Sequence, residues 1–186
     1  MSAGDSRLSL LDRVARTLQQ HSIRFAVIGA AAMAAIKVAR STQDIDLLTL
    51  DHACLAPTMW QRLQASGTTV DIRRADDADP LGGLVRLVDR TPLTEIVEVI
   101  IGRSTWQAGV IERATPRVID GSTVPVVCSG DLVVLKLYAG GAQDAWDIEQ
   151  LLAAGDRLAL VRHVEMLLPQ LPENSRQLWA RIVGPR

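Results

Sequence analysis

The sequence has few of the residues that mark specialised protein classes. Its 186 residues include only two cysteines, one tyrosine and one phenylalanine. The cysteines, Cys54 and Cys128, lie far apart and match no metal-ligand spacing. We therefore expect both to be ordinary buried or partly buried thiols in a reducing compartment, without a chemical role.

Long apolar runs and an excess of one charge are also missing. Lys37 and Arg40 interrupt the alanine-rich segment, so no stretch predicts a membrane span. The N-terminal segment carries Asp5 and Asp12 among arginines and lacks the apolar core of a signal peptide, which predicts a cytoplasmic protein. A net charge of -1 gives no overall attraction to nucleic acid. It does not exclude a local patch of arginines that binds nucleic acid.

Apolar and charged residues occur in the proportions of a globular protein, 48% and 22% of the chain. Strand-like and helical segments alternate in the first two thirds, and helical patterns dominate from Ser129 onward. The pattern predicts an α/β (α+β) fold in which helices flank a mixed sheet. We assign residues 1–128 to this core and residues 129–186 to a C-terminal helical bundle packed on it.

The sequence also predicts two helices, a helix cap and the role of the histidines. Apolar residues at helical spacing predict one helix over residues 6–20 and another over residues 52–65. Ser129 is the predicted N-cap of the first C-terminal helix. The histidines occur singly, and we expect packing roles rather than catalysis for His21, His52 and His163.

Two aspartates interrupt the strand-like segment DIDLLTL. Residues two apart on a strand project from the same face, so Asp44 and Asp46 should lie together, opposite Ile45 and Leu47. Like charges on a buried element are costly unless a cation neutralises them, and Mg²⁺ prefers carboxylate oxygens. The alternative is an exposed edge strand with solvated aspartates.

Gly29 lies between the preceding strand and an alanine-rich helix. Exposed backbone N–H groups at such a turn can receive a phosphate. A carboxylate pair on the next strand would place this phosphate site beside a metal site. This combination is what transfer of a nucleotidyl group requires.

Two segments resemble a known superfamily. VIGAAAMAAIKVARSTQDIDLL resembles the signature of the nucleotidyltransferase fold (DNA polymerase β-like), with thirteen residues between Ala30 and Asp44. RVIDGSTVPVVCSGDLVVLKLYAGGAQDAWDIEQLL is similar to the C-terminal part of small bacterial members related to the AbiEii toxin group. The matches cover residues 24–50 and 117–152.

The resemblance implies a Mg²⁺-dependent enzyme, with Mn²⁺ as a substitute, that transfers a nucleoside monophosphate from a nucleoside triphosphate to an acceptor hydroxyl. Asp44 and Asp46 would hold two metal ions, and a third carboxylate on a later strand would complete one of the metal sites. Glu95 and Glu98 are the candidates there, and we choose Glu98 because it lies inside the strand. Glu98 would also help to deprotonate the acceptor.

The resemblance also implies a set of nucleotide-binding residues. Lys136 would face the triphosphate and Asp147 would shape the cleft by pairing with it, although a snorkelling lysine is the alternative. Residues just before the aspartates bind phosphate or merely form the turn into the strand. The full set is Gly29, Ala30, Ser41, Thr42, Lys136 and Asp147.

The implied partners are less specific. The acceptor would be RNA, a tRNA end, a protein or a small molecule, and a toxin-like enzyme would have an antitoxin protein as a partner. Ala30 stands where the superfamily usually has glycine or serine, and Glu98 where aspartate is commoner. These two departures favour the alternative of a catalytically degenerate domain that binds nucleotide or a partner protein.

Overall fold

A seven-stranded mixed sheet forms the centre of the molecule, which confirms the predicted α/β class. The computed structural model describes residues 8–38, 44–76, 79, 81–90 and 93–184. The helices and strands in chain order are α1 (Leu10–Gln20), β1 (Phe25–Ile28), α2 (Gly29–Ala35), β2 (Asp44–Thr49), α3 (Gln61–Ala65), β3 (Thr69–Arg74), β4 (Gly83–Asp89), β5 (Glu95–Ile101), α4 (Trp106–Glu112), β6 (Thr115–Ile119), β7 (Ser122–Val126), α5 (Ser129–Ala139), α6 (Ala142–Ala154), α7 (Arg157–Leu167) and α8 (Glu173–Val183).

The strand order is β3-β4-β5-β2-β1-β7-β6. Strand β2 pairs in parallel with β5 and antiparallel with β1, and β1 pairs in parallel with β7. The pairs β3–β4, β4–β5 and β6–β7 are antiparallel. The segment that carries the two aspartates is therefore the central strand of the sheet, and the edge-strand alternative is wrong.

The two faces of the sheet differ in burial. Alternate residues of β4 and β5 point into the main apolar core, among them Val85, Leu87, Val97 and Val99, all at most 1% exposed. Their neighbours in sequence, such as Arg86 and Glu98, are half-buried. This period of two follows from the strand geometry and leaves polar side chains together on the second face.

The C-terminal helices form a group around α5. Helix α5 has apolar residues on most of its surface and packs against α6, α7 and α8. It also contacts α2, the helix that follows Gly29. The division of the chain at residue 128 stays a prediction, and these contacts place α5 beside α2.

The local expectations need corrections. Helix α1 begins at Leu10, because the Ser9 side chain caps it by accepting a hydrogen bond from the Asp12 N–H at 3.1 Å. Residues 52–65 do not form one helix. They form two 3₁₀ turns, His52–Leu55 and Pro57–Trp60, before the short α3. Proline lacks the N–H that a continuous helix would need at this point.

The predicted cap of α5 is also wrong by one residue. Ser129 is the first residue of α5, and Cys128 occupies the N-cap position without a side-chain hydrogen bond to the helix. Over the described part of the chain, the helices are all too short or too polar to span a membrane.

Candidate active site

Three carboxylates lie on the half-buried face of the sheet. Asp46 on β2 is directly opposite Glu98 on the parallel strand β5, so their side chains project from the same face. Asp44 lies two residues before Asp46 and shares that face. The structure therefore brings together the three residues that sequence reasoning selected as metal ligands.

The turn at Gly29 approaches this acidic group closely. A methyl group placed on Gly29 would lie 2.2 Å from Asp46 Oδ2, which is too close for any side chain. The backbone there is left-handed, with φ of +65°, a conformation that favours glycine. Two independent constraints thus explain why glycine joins β1 to α2 beside Asp46.

Glu95, the other candidate for the third carboxylate, has a different position. Its Oε2 accepts a hydrogen bond from the Leu10 N–H at 2.5 Å, at the start of α1. A carboxylate at a helix N-terminus is favourable because the N–H groups there lack helical partners. The Glu95 side chain is therefore hydrogen-bonded to the N-terminus of α1, whereas Glu98 lies opposite Asp46.

Arg86 is a member of this group that sequence reasoning missed. It lies on β4 directly opposite Glu98, and its Nη1 atom donates to Glu98 Oε1. The same nitrogen lies 3.6 Å from Asp44 Oδ2. The signal in the sequence was a single arginine at the centre of the apolar strand segment LVRLV.

Lys136 and Asp147 pair with each other. Lys136 Nζ donates to Asp147 Oδ2 at 2.5 Å and to Asp144 Oδ1 at 3.1 Å. Lys136 is 7% exposed and Asp147 is fully buried. Asp144 also accepts from the Gly141 N–H at 3.0 Å and so caps α6. These contacts account for the burial of the ammonium, and a role for Lys136 in phosphate binding stays a prediction.

The remaining predicted nucleotide-binding residues are Ala30, Ser41 and Thr42. Ala30 is the second residue of α2 and is buried. Ser41 and Thr42 lie outside the described residues.

A second polar cluster surrounds Asp131, which is fully buried near the start of α5. Arg113 donates to both of its carboxylate oxygens, from Nε at 3.0 Å and from Nη2 at 2.7 Å. His163 Nε2 lies 2.9 Å from Oδ1, and Cys128 Sγ lies 3.2 Å from Oδ2. The structure thus gives Cys128 and His163 a shared partner that the sequence did not reveal, because they lie on separate elements.

The two clusters differ in how well they suit a cation. Ligand atoms of Cys128, Asp131 and His163 lie within 4.8 Å of one another. However, Arg113 already occupies both oxygens of Asp131. Burial raises the pKa of the Cys128 thiol, which keeps the proton on sulfur rather than forming the thiolate that binds metals. Hydrogen bonding to Asp131 raises the pKa of Arg113, so this pair is a stable ion pair.

The carboxylates beside Gly29 offer a different donor set, although Arg86 already contacts Glu98 there. They supply oxygen ligands from three positions on one face, which is the chemistry that Mg²⁺ prefers. The Asp46 carboxylate occupies the space that a side chain at position 29 would fill, so glycine there lets Asp46 lie against the turn. Asp44, Asp46 and Glu98 stay the predicted metal ligands, while among the described residues the group whose ligand atoms all lie within 4.8 Å of one another is Cys128, Asp131 and His163.

Acidic residues lie on the central strands of a mixed sheet, beside a glycine turn between strand and helix. This arrangement defines the nucleotidyltransferase fold class. The chain belongs to the family described as "Nucleotidyl transferase of unknown function (DUF2204)", whose model matches residues 7–182. The predicted superfamily and enzyme class are thereby confirmed. The narrower resemblance to the AbiEii group stays a prediction.

Solved structures agree on the fold. The antibiotic-resistance factor ANT(2'')-Ia, in complex with adenylyl-2''-tobramycin, is similar with a TM-score of 0.56 and 14% identity, over 92% of this chain and 96% of that one. A candidate nucleotidyltransferase from Thermotoga maritima has a TM-score of 0.53 and 15% identity, over 78% of this chain and 92% of that one. Among curated proteins, none matches this chain in sequence.

Proposed function

We propose that the protein transfers a nucleoside monophosphate from a nucleoside triphosphate to an acceptor hydroxyl, with Asp44, Asp46 and Glu98 holding Mg²⁺. The observation that carries this proposal is the register of β2 and β5, which sets Asp46 opposite Glu98 beside the Gly29 turn. Membership of a nucleotidyl transferase family supports the reaction class.

The residues have separate roles in this proposal. Bound Mg²⁺ would neutralise the negative charge that develops on the phosphate oxygens. Asp44 and Asp46 would hold that ion, and Glu98 would accept the proton of the acceptor hydroxyl. The acceptor oxygen forms a bond to the α phosphorus while the bond between that phosphorus and the bridging oxygen to the β phosphate breaks. Pyrophosphate leaves, and the proton rests on Glu98.

The acceptor is the open part of this proposal. ANT(2'')-Ia is in complex with adenylyl-2''-tobramycin, so a protein of this fold accommodates an adenylylated small molecule. We include RNA, protein and small hydroxyl compounds as acceptors to be tested. A toxin-like role and an antitoxin partner rest on the resemblance alone.

The test is a transfer assay with α-labelled nucleoside triphosphates, Mg²⁺ or Mn²⁺, and separate pools of total RNA, cell protein and aminoglycosides. We expect one pool to become labelled by the wild type. Asp46→Asn should abolish the label, because an amide is a much weaker ligand for Mg²⁺ than a carboxylate.

Asp12→Asn is the control, since it removes one carboxylate from the surface of α1, where Asp12 pairs with Arg16. It should leave the label unchanged. Tight binding of the triphosphate without transfer to any pool would instead support the degenerate, binding-only protein. Equal labelling by Asp46→Asn and the wild type would contradict the assigned site.

A further inference from the structure

Arg86 is a charged residue of the site for which the proposed reaction gives no role. We propose that Arg86 is an internal counter-ion that competes with a divalent cation for Glu98 and Asp44, and keeps cation affinity low until a nucleoside triphosphate arrives. This inference rests on the proposed function, because it takes the three carboxylates to be the metal ligands.

The geometry places one nitrogen between two of those ligands. Arg86 Nη1 donates to Glu98 Oε1 and lies 3.6 Å from Asp44 Oδ2. The arrangement follows from register, since Arg86 and Glu98 are direct partners across β4 and β5. The guanidinium therefore already contacts one of the two Glu98 oxygens that could bind a metal.

The charges explain why such a counter-ion is useful. Asp44, Asp46 and Glu98 are half-buried on one face, and three carboxylates so placed repel one another. Arg86 offsets part of this repulsion. The same positive charge also repels an approaching divalent cation, because charges separated by about 4 Å interact by more than thermal energy even in water.

A triphosphate would relieve this competition. Its phosphate oxygens match the fork of a guanidinium and would give Arg86 new partners when it leaves Glu98. The Arg86 side chain is 35% exposed, so it can turn toward a ligand on the open face. Nucleotide and cation would then strengthen each other's binding, which is a positive coupling between two ligands.

The test measures Mn²⁺ affinity, by the electron paramagnetic resonance signal of free Mn²⁺, with and without a non-hydrolysable triphosphate. Without nucleotide, Arg86→Met should bind Mn²⁺ about tenfold more tightly than the wild type, because the competing charge is removed. The increase in Mn²⁺ affinity on adding the triphosphate should be smaller in Arg86→Met than in the wild type.

The control is Arg16→Met, which removes the same charge from an exposed ion pair with Asp12. Its Mn²⁺ affinity should stay within about twofold of the wild type, because surface charges are strongly screened. Tighter metal binding is an effect that mere loss of structure would not produce. Thermal unfolding should also show that Mn²⁺ stabilises Arg86→Met more than the wild type.

Should Arg86→Met fail to fold, Arg86→Gln carries the same expectation, since it keeps a hydrogen-bond donor but no charge. Unchanged or weaker Mn²⁺ binding by a folded, neutral variant overturns the inference and leaves the proposed function standing. If neither the wild type nor the variant binds Mn²⁺, with or without nucleotide, the metal site itself is absent and both proposals fail.

Discussion

Gly29 is constrained both by its left-handed backbone conformation and by its close approach to Asp46. Gly29→Ala should lower both stability and transfer activity, because the added methyl group would lie 2.2 Å from Asp46 Oδ2. The positive φ alone costs about 1–2 kcal/mol for a residue with a side chain. Urea unfolding and the transfer assay measure the two effects.

Gly121 offers a matched control for this change. Its φ is +79°, and a methyl group placed there meets no atom within 4 Å. Gly121→Ala should therefore show the stability loss of a left-handed residue without loss of transfer. Equal activity in the two variants would mean that the approach of Gly29 to Asp46 does not matter for the reaction.

Cys54 should make stability depend on pH in the alkaline range. Burial raises the pKa of its thiol from 9.0 to about 12, so the folded state holds the proton more tightly than the unfolded chain. The stabilisation is complete below pH 9 and is lost as pH rises towards 12. Its contribution to the unfolding free energy falls by up to about 1.4 kcal/mol per pH unit.

Cys54→Ala tests this dependence. The variant loses packing at neutral pH, but its unfolding free energy should fall less steeply than that of the wild type between pH 9 and pH 11. Urea unfolding at several pH values within this window gives both slopes. Identical slopes would contradict the assignment.

The sequence predicts individual residues well where a short-range rule applies. The period of two on a strand places Asp44 and Asp46 on one face, and the position of Glu98 inside its strand favours it over Glu95 at the strand start. The contact between Arg86 and Glu98 depends on the register of β4 and β5, which the connection between them sets as much as the alternation within either strand. Cys128 and His163 illustrate the same limit, since their common partner depends on how α5 and α7 pack.

Among the elements, the contact of α5 with α6 includes a buried ion pair. Lys136→Met should destabilise the protein by about 3–5 kcal/mol, because Asp147 is fully buried and would lose its cation. Asp147→Leu should destabilise less than Lys136→Met, because Lys136 keeps its contact with Asp144 Oδ1 at 3.1 Å. Urea unfolding of both variants gives the two free energies.

The double variant separates pairing from packing. Lys136→Met with Asp147→Leu should cost less than the sum of the single changes, since neither charge is left alone. Strict additivity would contradict a direct pair. Transfer activity of the folded double variant then tests the predicted phosphate role of Lys136 apart from stability.

The boundaries of elements were harder to predict than their types. The segment 52–65 has helical composition, but Pro57 divides it into 3₁₀ turns before α3 begins. Helix α1 begins later than residue 6, because the Ser9 hydroxyl caps it and Leu8 remains 45% exposed outside it. Both differences arise from single hydrogen-bonding groups rather than from the apolar pattern.

For the whole molecule, ligand binding should raise thermal stability. A non-hydrolysable triphosphate with Mg²⁺, at about a hundred times its dissociation constant, stabilises the folded state by about 2.7 kcal/mol. For a chain of this size the midpoint should rise by roughly 5–10 °C. A thermal-shift measurement checks this, and Asp46→Asn should show little or no rise. A similar rise in that variant would place the nucleotide elsewhere.

The order of the strands was beyond what the sequence could predict. Local patterns indicate which segments are strands, and the turn at Gly121 indicates the β6–β7 hairpin. The parallel pairs β2–β5 and β1–β7 join segments that are distant in the chain, so they depend on the packing of the complete core. The family resemblance, rather than periodicity, supplied the expectation that the acidic segments converge.

The parallel pairing of β2 with β5 also has a consequence for folding kinetics. Hairpins such as β3–β4 and β4–β5 close short loops, whereas β2 meets β5 only after the intervening chain has been ordered. We therefore expect Asp46 and Glu98 to come together late during folding, so that a partly folded chain lacks the complete set of predicted ligands. In a stopped-flow refolding experiment, recovery of Mn²⁺ binding should lag behind the recovery of secondary structure.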